Sequence, residues 1–240
     1  MASEADLAAE VEKYGWYHTL DLGNGVVTKG MFDHRGKEDR YMIPADLSGM
    51  RCLDIGTMDG FWAFEMERRG AAEVVAVDLE DPEALDWPAS LRDNTVKTMD
   101  IEKPIRFGLA KEALGSNVRR ELRSVYDVGP DLGQFDLVFC GDLLVHIKDP
   151  VTAVERMRSV ARGSAIICNP IKKFRFMDNK PLAELDGVDV FQWWVTNLEG
   201  LKRIVLSAGF ARVEAAPTFE LPGTAGGPWK GLRGVVRGYV

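Results

Sequence analysis

Two glycines and two acids lie together in segment 51–62, which reads RCLDIGTMDGFW. The segment begins as a strand and ends as a helix, so Gly56 and Gly60 predict a tight turn where a ligand can approach bare backbone. A nucleotide suits such a turn. The charges of Asp54 and Asp59 would oppose a pyrophosphate at the helix N-terminus, and the third glycine of a dinucleotide fingerprint is missing. The segment therefore favours a cofactor that carries an ammonium and a sulfonium.

A further acid follows the next predicted strand, 73–78. Asp78 lies about two dozen residues after Asp54, near the spacing at which a carboxylate accepts hydrogen bonds from a ribose diol. Either feature alone is open to a purely structural interpretation, as a chain turn or a cap. Together they predict an S-adenosylmethionine (SAM) site. The cofactor-binding residues expected from these two segments are Asp54, Gly56, Thr57, Gly60, Asp78 and Leu79.

Two histidines are candidates for removing a proton from a methyl acceptor. His146 follows the fourth predicted strand, at the edge where ligands bind in open α/β sheets, and imidazole is a workable base at neutral pH. Packing of the cofactor site is the alternative role. His18 lies in segment 15–33, which places aromatics between glycines and resembles a cap over the site; a segment that only covers the sheet is the alternative. The acceptor-binding residues expected from this segment are Trp16, Tyr17 and Lys29.

Three further features have open interpretations. Asp142 and Asp149 flank His146 and could hold a divalent ion, but their spacing is not diagnostic and we predict no metal. Segment 169–194 mixes cations with aromatics, so Trp193 and Trp194 either bind the acceptor or form the core of a lid. His34, beside Arg35 in a charged stretch, is expected to be solvated.

The elements that must position these residues alternate between short β-rich runs and helical patterns, which predicts an α/β fold with a doubly wound, mostly parallel sheet. The cap is assigned to 1–48 and the cofactor-binding domain to 49–240, with an acceptor-facing insertion at about 170–196. A loop is expected at 221–231, and the last helix is expected to begin at Thr196 or Asn197 and to stop at Gly209. The seven predicted strands are 51–55, 73–78, 124–128, 135–140, 164–169, 211–216 and 234–239, and the helices are 61–69, 108–123, 151–161 and 198–208.

Composition limits the function classes. The chain has 240 residues, of which 46% are hydrophobic and 28% are charged, and no apolar run is long enough to span a membrane. The acidic, alanine-rich first ten residues do not resemble a secretory signal, so a cytoplasmic location is expected. The net charge of −7 argues weakly against a nucleic-acid partner, whereas a small-molecule acceptor and a homodimer are compatible with it. Cys52, Cys140 and Cys168 are expected to be buried.

Two later segments complete a family pattern. With the glycine turn and Asp78, the runs SVYD at 124–127 and FDLVFC at 135–140 resemble class I SAM-dependent methyltransferases over about 190 residues. The resemblance implies the methyltransferase fold, SAM as methyl donor and S-adenosylhomocysteine (SAH) as product. It also implies that Tyr126 and Asp127 lie near the adenine and that Cys140 ends the strand leading to the reaction centre.

Two branches of that family resemble the chain more closely. The segments WYH at 16–18 and GVVTKG at 25–30, paired with LLVH at 143–146, resemble tRNA wobble-uridine carboxymethyltransferases, which use carboxy-SAM. Lys29 matches that family's lysine for the extra carboxylate, but Val145 replaces its tyrosine. The same segments resemble sugar O-methyltransferases, so O-methylation of a sugar or secondary metabolite is the expected function. The alternatives are tRNA modification, SAM binding without catalysis, and a nicotinamide reductase, against which the absent Tyr-x-x-x-Lys pair also counts.

Overall fold

A central sheet runs through the computed structural model, which describes residues 4–92, 102–224 and 230–240. The helices are α1 (Glu4–Val11), α2 (Phe61–Arg68), α3 (Lys103–Leu114), α4 (Pro150–Val160) and α5 (Leu198–Ser207). The strands are β1 (Trp16–His18), β2 (Gly30–Phe32), β3 (Arg51–Ile55), β4 (Glu73–Asp78), β5 (Arg119–Leu122), β6 (Phe135–Gly141), β7 (Ala161–Pro170), β8 (Ala183–Leu185), β9 (Trp194–Thr196), β10 (Arg212–Ala215), β11 (Phe219–Pro222) and β12 (Lys230–Tyr239).

The main sheet has the strand order β10-β12-β7-β6-β3-β4-β5, with β11 paired to β12. Strands β3 to β7 are parallel, and β12 enters antiparallel between β7 and β10. Apolar clusters cover both faces of this sheet, so β3, β4, β6 and β7 are nearly continuously buried, as parallel strands must be. The predicted doubly wound fold is confirmed, and the parallel strands end at a common edge.

Local sequence signals start the helices that border this edge. Gly60 precedes α2 with a φ of 95°, and a Cβ placed there would lie 2.4 Å from the Phe64 ring, so only glycine fits. The side chain of Asp149 accepts the Thr152 N–H and caps α4. Of the two caps expected for α5, Asn197 accepts the Gly200 N–H.

Two predicted elements are wrong. The strand expected at 124–128 is a short 3₁₀ turn, Val125–Asp127, because the Ser124 hydroxyl accepts the Tyr126 N–H and starts a turn. The strand beside β4 is β5, whose polar sequence RREL is partly exposed at the sheet edge. The helix expected at 108–123 is α3, which begins earlier, at Lys103, and ends at Leu114 with Gly115 as its C-cap.

Two other segments differ from expectation in part. Part of the loop expected at 221–231 is strand, since β11 ends at Pro222 and β12 begins at Lys230; residues 225–229 lie outside the described residues. The insertion carries a small antiparallel hairpin of β8 and β9 that the sequence did not predict.

The N-terminal segment packs against one face of the sheet. Trp16, Leu20, Phe32 and Tyr41 belong to the same buried cluster as Trp62 of α2. The segment therefore covers the sheet and also forms one wall of the cavity described below, which combines both interpretations of its sequence. Its division from the rest at residue 48 stays a prediction. Within the described ranges, no helix has the length and apolarity that crossing a membrane requires.

Candidate active site

A cavity of about 230 Å³ lies at the carboxyl edge of the parallel strands. Its walls come from the ends of β3, β4 and β6, from the turn after β5, from the cap, and from the insertion. The predicted cofactor residues Gly56, Asp78, Leu79 and Tyr126 belong to its lining. We call a second group of lining residues the acceptor half, because it contains both candidate bases and the predicted acceptor residue Tyr17: Tyr17, His18, His34, Tyr41, Asp142, His146 and Phe191. Both groups line one continuous space, which is what transfer between a cofactor and an acceptor needs.

The glycine turn presents backbone to this cavity. Gly56 has a φ of 76°, a left-handed conformation that glycine adopts without strain, and its N–H donates to the Val77 carbonyl at 2.8 Å. The Met58 N–H donates to Asp78 Oδ2 at 2.7 Å, so the carboxylate after β4 also holds the turn after β3. The structure thus brings together the turn and the acid that the sequence analysis paired.

Asp78 has a partner that the sequence analysis missed. Its Oδ1 accepts the Leu79 N–H at 2.7 Å and lies 2.8 Å from Lys103 Nζ. Both side chains of this ion pair are less than a tenth exposed, and Lys103 also donates to the Leu79 carbonyl. A ribose diol bound by Asp78 must therefore share this carboxylate with Lys103. No sequence signal marks Lys103, because it lies 25 residues further along the chain.

Both acids of the turn, Asp54 and Asp59, are buried. Asp54 is buried behind the turn, does not line the cavity, and has an Oδ2 without a hydrogen-bond partner among the described residues. Burial, together with the nearby Asp78 charge, raises the pKa of Asp54 to about 7. Asp59 is fully buried and paired with Arg106 at 2.9 Å. The charge of Asp59 is therefore already compensated by a guanidinium, whereas the assignment of Asp54 to the cofactor stays a prediction.

Asp59 instead joins the cap to the domain. Its Oδ2 accepts the backbone N–H groups of Tyr17 at 2.5 Å and His18 at 2.9 Å. Hydrogen bonds to a buried, charged acceptor are strong, so this contact fixes β1 beside the N-terminus of α2. It brings Tyr17 and His18 into the wall of the cavity.

The turn after β5 forms the wall where the family resemblance places the adenine. Tyr126 lines the cavity there, and its hydroxyl donates to Asp86 Oδ2 at 2.6 Å and accepts the Asp149 N–H at 3.1 Å. Asp127 is exposed and lies outside the cavity lining. Thr57, Gly60 and Cys140 also lie behind the lining rather than in it. These four assignments stay predictions.

The cap supplies neutral polar groups to the acceptor half. Burial, with the Arg106 charge, lowers the pKa of His18 to about 3, and its Nδ1 has no hydrogen-bond partner in the described part of the chain. The expectation of a solvated His34 is wrong, since the residue is only 4% exposed and its Nδ1 lies 2.7 Å from the Tyr41 hydroxyl. The alternation of buried Phe32 and His34 with outward residues was the missed signal.

His146 is held in one orientation. Its Nδ1 lies 2.5 Å from the Phe191 carbonyl oxygen, which can only accept, so Nδ1 carries the proton and Nε2 has the free lone pair. Burial lowers the pKa of His146, with the Phe191 carbonyl opposing that effect. The imidazole is therefore neutral at physiological pH, which is the state required of a base.

The remaining predicted acceptor residues lie elsewhere. Trp16 and Lys29 line a separate cleft of about 740 Å³, where the exposed Lys29 pairs with Glu12 at 2.9 Å. The indole N–H groups of Trp193 and Trp194 donate to the backbone carbonyls of Asp86 and Lys148, which fastens the insertion to the rim. Of the five predicted acceptor residues, the structure brings Tyr17 alone into the cavity lining. All five assignments stay predictions.

The two acids considered for a metal have separate tasks. Asp149 caps α4, and Asp142 is paired with Arg233. Among the residues that the structure describes, no group of three His, Cys, Asp or Glu side chains is arranged to hold a metal ion.

This strand order, with a glycine turn and an acid after the second parallel strand at the carboxyl edge, is that of a class I SAM-dependent methyltransferase. The chain belongs to the family described as "Methyltransferase domain", whose model matches residues 37–215. Family membership confirms the predicted cofactor, SAM, and Gly56, Asp78 and the Tyr126 wall fit a nucleoside. The two curated relatives below are matched over about a third of their length.

These curated relatives have different activities. The chain is 31% identical over 115 residues to the tRNA U34 carboxymethyltransferase of Campylobacter hominis, covering 48% of this chain and 33% of that protein. It is 32% identical over 112 residues to the magnesium-protoporphyrin O-methyltransferase of Rhodobacter capsulatus, covering 45% and 38%.

Solved structures share the fold at low identity. The N-terminal domain of EvdMO1 with SAH bound has a TM-score of 0.69 at 16% identity, covering 100% of this chain and 98% of that one. The magnesium protoporphyrin IX methyltransferase of Synechocystis PCC 6803, also with SAH, has a TM-score of 0.53 at 16% identity, covering 80% and 75%.

Proposed function

We propose that this protein transfers a methyl group from SAM to a hydroxyl of a small molecule, a sugar or a secondary metabolite. The observation that carries the proposal is the state of His146. Its Nδ1–H is hydrogen-bonded to the Phe191 carbonyl, and the imidazole lines the same cavity as Gly56 and Asp78. A hydroxyl needs a base to become a nucleophile, and this imidazole is fixed and neutral.

The chain's own residues have simple tasks in this reaction. Bound SAM supplies the methyl group and leaves as SAH. His146 Nε2 accepts the acceptor's hydroxyl proton as the oxygen–carbon bond forms, and the Phe191 carbonyl stabilises the imidazolium through Nδ1–H. Asp78 holds the ribose hydroxyls, and the backbone at Gly56 allows the cofactor to approach closely. Positioning the two reactants supplies much of the rate enhancement.

The character of the acceptor wall supports a small, neutral acceptor. Tyr17, His18, His34 and Tyr41 offer hydrogen bonds without charge, since burial lowers the pKa of both histidines and raises that of both tyrosines. The cap places these side chains against the domain and so encloses this half of the cavity. A structure of the similar EvdMO1 domain was obtained in the presence of SAH and D-fucose, which also favours a sugar.

Modification of tRNA is the second candidate, because one curated relative is a tRNA U34 carboxymethyltransferase. The position of Lys29 argues against carboxymethyl transfer here. This lysine pairs with Glu12 at the surface and lies outside the cavity that contains Asp78 and His146. A nucleobase of tRNA would also have to pass the cap to enter the cavity.

The test compares acceptor pools and variants. The protein is incubated with SAM and either a small-molecule metabolite extract or bulk tRNA, and products heavier by one CH₂ unit are sought by mass spectrometry. We expect a product in the extract, with turnover reduced about 10²- to 10⁴-fold in His146→Ala, the usual contribution of a general base. The affinity for SAM, measured by calorimetry, is the control and should be unchanged. Product in tRNA alone, or full turnover by His146→Ala, would contradict the proposal; SAM binding without any product would indicate a non-catalytic protein.

A further inference from the structure

An ion pair between Asp142 and Arg233 lies at the acceptor half of the cavity and has no task in the reaction described so far. Arg233 Nε and Nη2 both lie 2.9 Å from Asp142 Oδ2. The Arg233 side chain is 7% exposed and that of Asp142 is 14% exposed. Asp142 lines the cavity, four residues before His146.

The backbone at Asp142 adopts a left-handed conformation. Its φ is 52°, in the region that glycine favours and that aspartate enters more often than most other residues. Its N–H donates to the Cys168 carbonyl at 2.8 Å, which fixes this conformation between the ends of β6 and β7. The fixed backbone holds the carboxylate at the cavity wall.

Only one oxygen of the Asp142 carboxylate has hydrogen-bond partners among the described residues. Asp142 Oδ1 is buried and has no hydrogen-bond partner in the described ranges, whereas both contacts from Arg233 go to Oδ2. Buried polar groups are nearly always paired, so an unpaired oxygen next to a cavity indicates that a ligand group completes it. His18 Nδ1, which belongs to a residue lining the same cavity, also lacks a hydrogen-bond partner among the described residues.

We propose that Asp142 is an acceptor-binding residue whose Oδ1 receives a hydrogen bond from a second hydroxyl of the acceptor, beside the hydroxyl that faces His146. The inference rests on the proposed function and names its substrate class, a neutral polyol. Arg233 holds the carboxylate in place and compensates its charge. Arg233 is already paired with Asp142 and cannot compensate a second negative charge. An acceptor carboxylate bound here would therefore be repelled by Asp142, so uronic acids are rejected.

The test measures acceptor selectivity. Wild-type protein and Asp142→Asn are assayed with D-galactose, its singly deoxygenated analogues and D-galacturonate, and SAM affinity is measured by calorimetry. The control is Asp136→Asn. Asp136 lies near the start of β6, the strand that Asp142 directly follows, and is also bound by an arginine, Arg162. Because Asp142→Asn leaves a buried arginine unpaired, Asp142→Asn/Arg233→Met is assayed as well, so that a folding defect does not hide the result.

We expect wild-type protein to methylate D-galactose, to use one deoxygenated analogue poorly and to reject D-galacturonate. Both Asp142 variants should raise the KM for D-galactose by about 10- to 100-fold, the effect of losing one hydrogen bond to a charged acceptor, and should discriminate less against D-galacturonate. SAM affinity should not change. An unchanged KM and selectivity would overturn the proposal while leaving the proposed function standing. Weakened SAM binding with an unchanged KM would assign the carboxylate to the cofactor ammonium. If wild-type protein methylates none of these sugars but yields an O-methylated product in the metabolite extract, the inference is overturned and the proposed function stands; if neither assay yields a product, both fail.

Discussion

Substitutions in the ion pair of Asp78 and Lys103 can separate an effect on SAM affinity from an effect on the stability of the fold. Asp78→Asn removes the charge that compensates a lysine only 5% exposed. Breaking one side of a buried pair costs about 3–5 kcal/mol of unfolding free energy, which for a chain of this size is roughly 6–20 °C in melting temperature. The variant also loses a charged acceptor for the ribose, worth about 1.5–3 kcal/mol, or a roughly 10- to 150-fold weaker Kd for SAM.

A second substitution separates the two effects. In Asp78→Asn/Lys103→Met the unpaired charge is gone, so we expect most of the lost stability to return while SAM binding stays weak. Lys103→Met alone should bind SAM at least as tightly as the wild type, since the lysine no longer competes for Asp78 Oδ1. Thermal unfolding and calorimetric titration with SAM measure both quantities on the same samples. If Asp78→Asn bound SAM like the wild type, or if the double variant were no more stable than Asp78→Asn, the account of this pair would be refuted.

Three further predictions follow from single contacts. Since the pKa of His146 lies below the usual value near 6.5, kcat/KM should stay above half its plateau at pH 6.5 and fall only at lower pH; half-loss well above pH 7 in a pH–rate profile would contradict this. His18 is neutral in the folded protein with a pKa of about 3, so its contribution to stability is present above pH 6.5 and lost as the pH falls. The variant His18→Asn should therefore flatten the pH dependence of the unfolding free energy between about pH 3 and 6.5, by up to about 1.4 kcal/mol per pH unit. Urea titrations at several pH values measure this slope. Gly60→Ala should destabilise the protein by about 2–5 kcal/mol through backbone strain and overlap with Phe64, whereas Gly108→Ala, with open space in the exposed face of α3, should stabilise it slightly; equal melting temperatures would refute the packing argument.

The central strands could be predicted because burial on both faces leaves an uninterrupted apolar run in the sequence. The observed β3 and β4 have the predicted bounds for this reason. The edge strand β5 could not be found in the same way. Its sequence RREL has no apolar pattern, and it is a strand because it pairs with β4, which is a long-range contact.

The residues of the candidate site show the same contrast between local signals and long-range contacts. Gly56 and Asp78 could be assigned because their positions after strands are local signals that the fold brings together. Lys103 and Phe191 could not be assigned, since each reaches the cavity through a contact that spans tens of residues. The raised pKa of Asp54 could not be predicted from the sequence either, because it depends on burial and not on residue type.

The central claim is that this protein methylates a hydroxyl of a small molecule, and transfer of an isotope-labelled methyl group tests it most directly. Labelled SAM is incubated with the protein and a metabolite extract, and the product's labelled carbon is examined by NMR, where its chemical shift distinguishes O-methyl from N-methyl and S-methyl groups. We predict that the label enters a neutral hydroxyl compound as an O-methyl group, and that His146→Ala prevents this. A label found on nitrogen, on sulfur or only in tRNA would contradict the account.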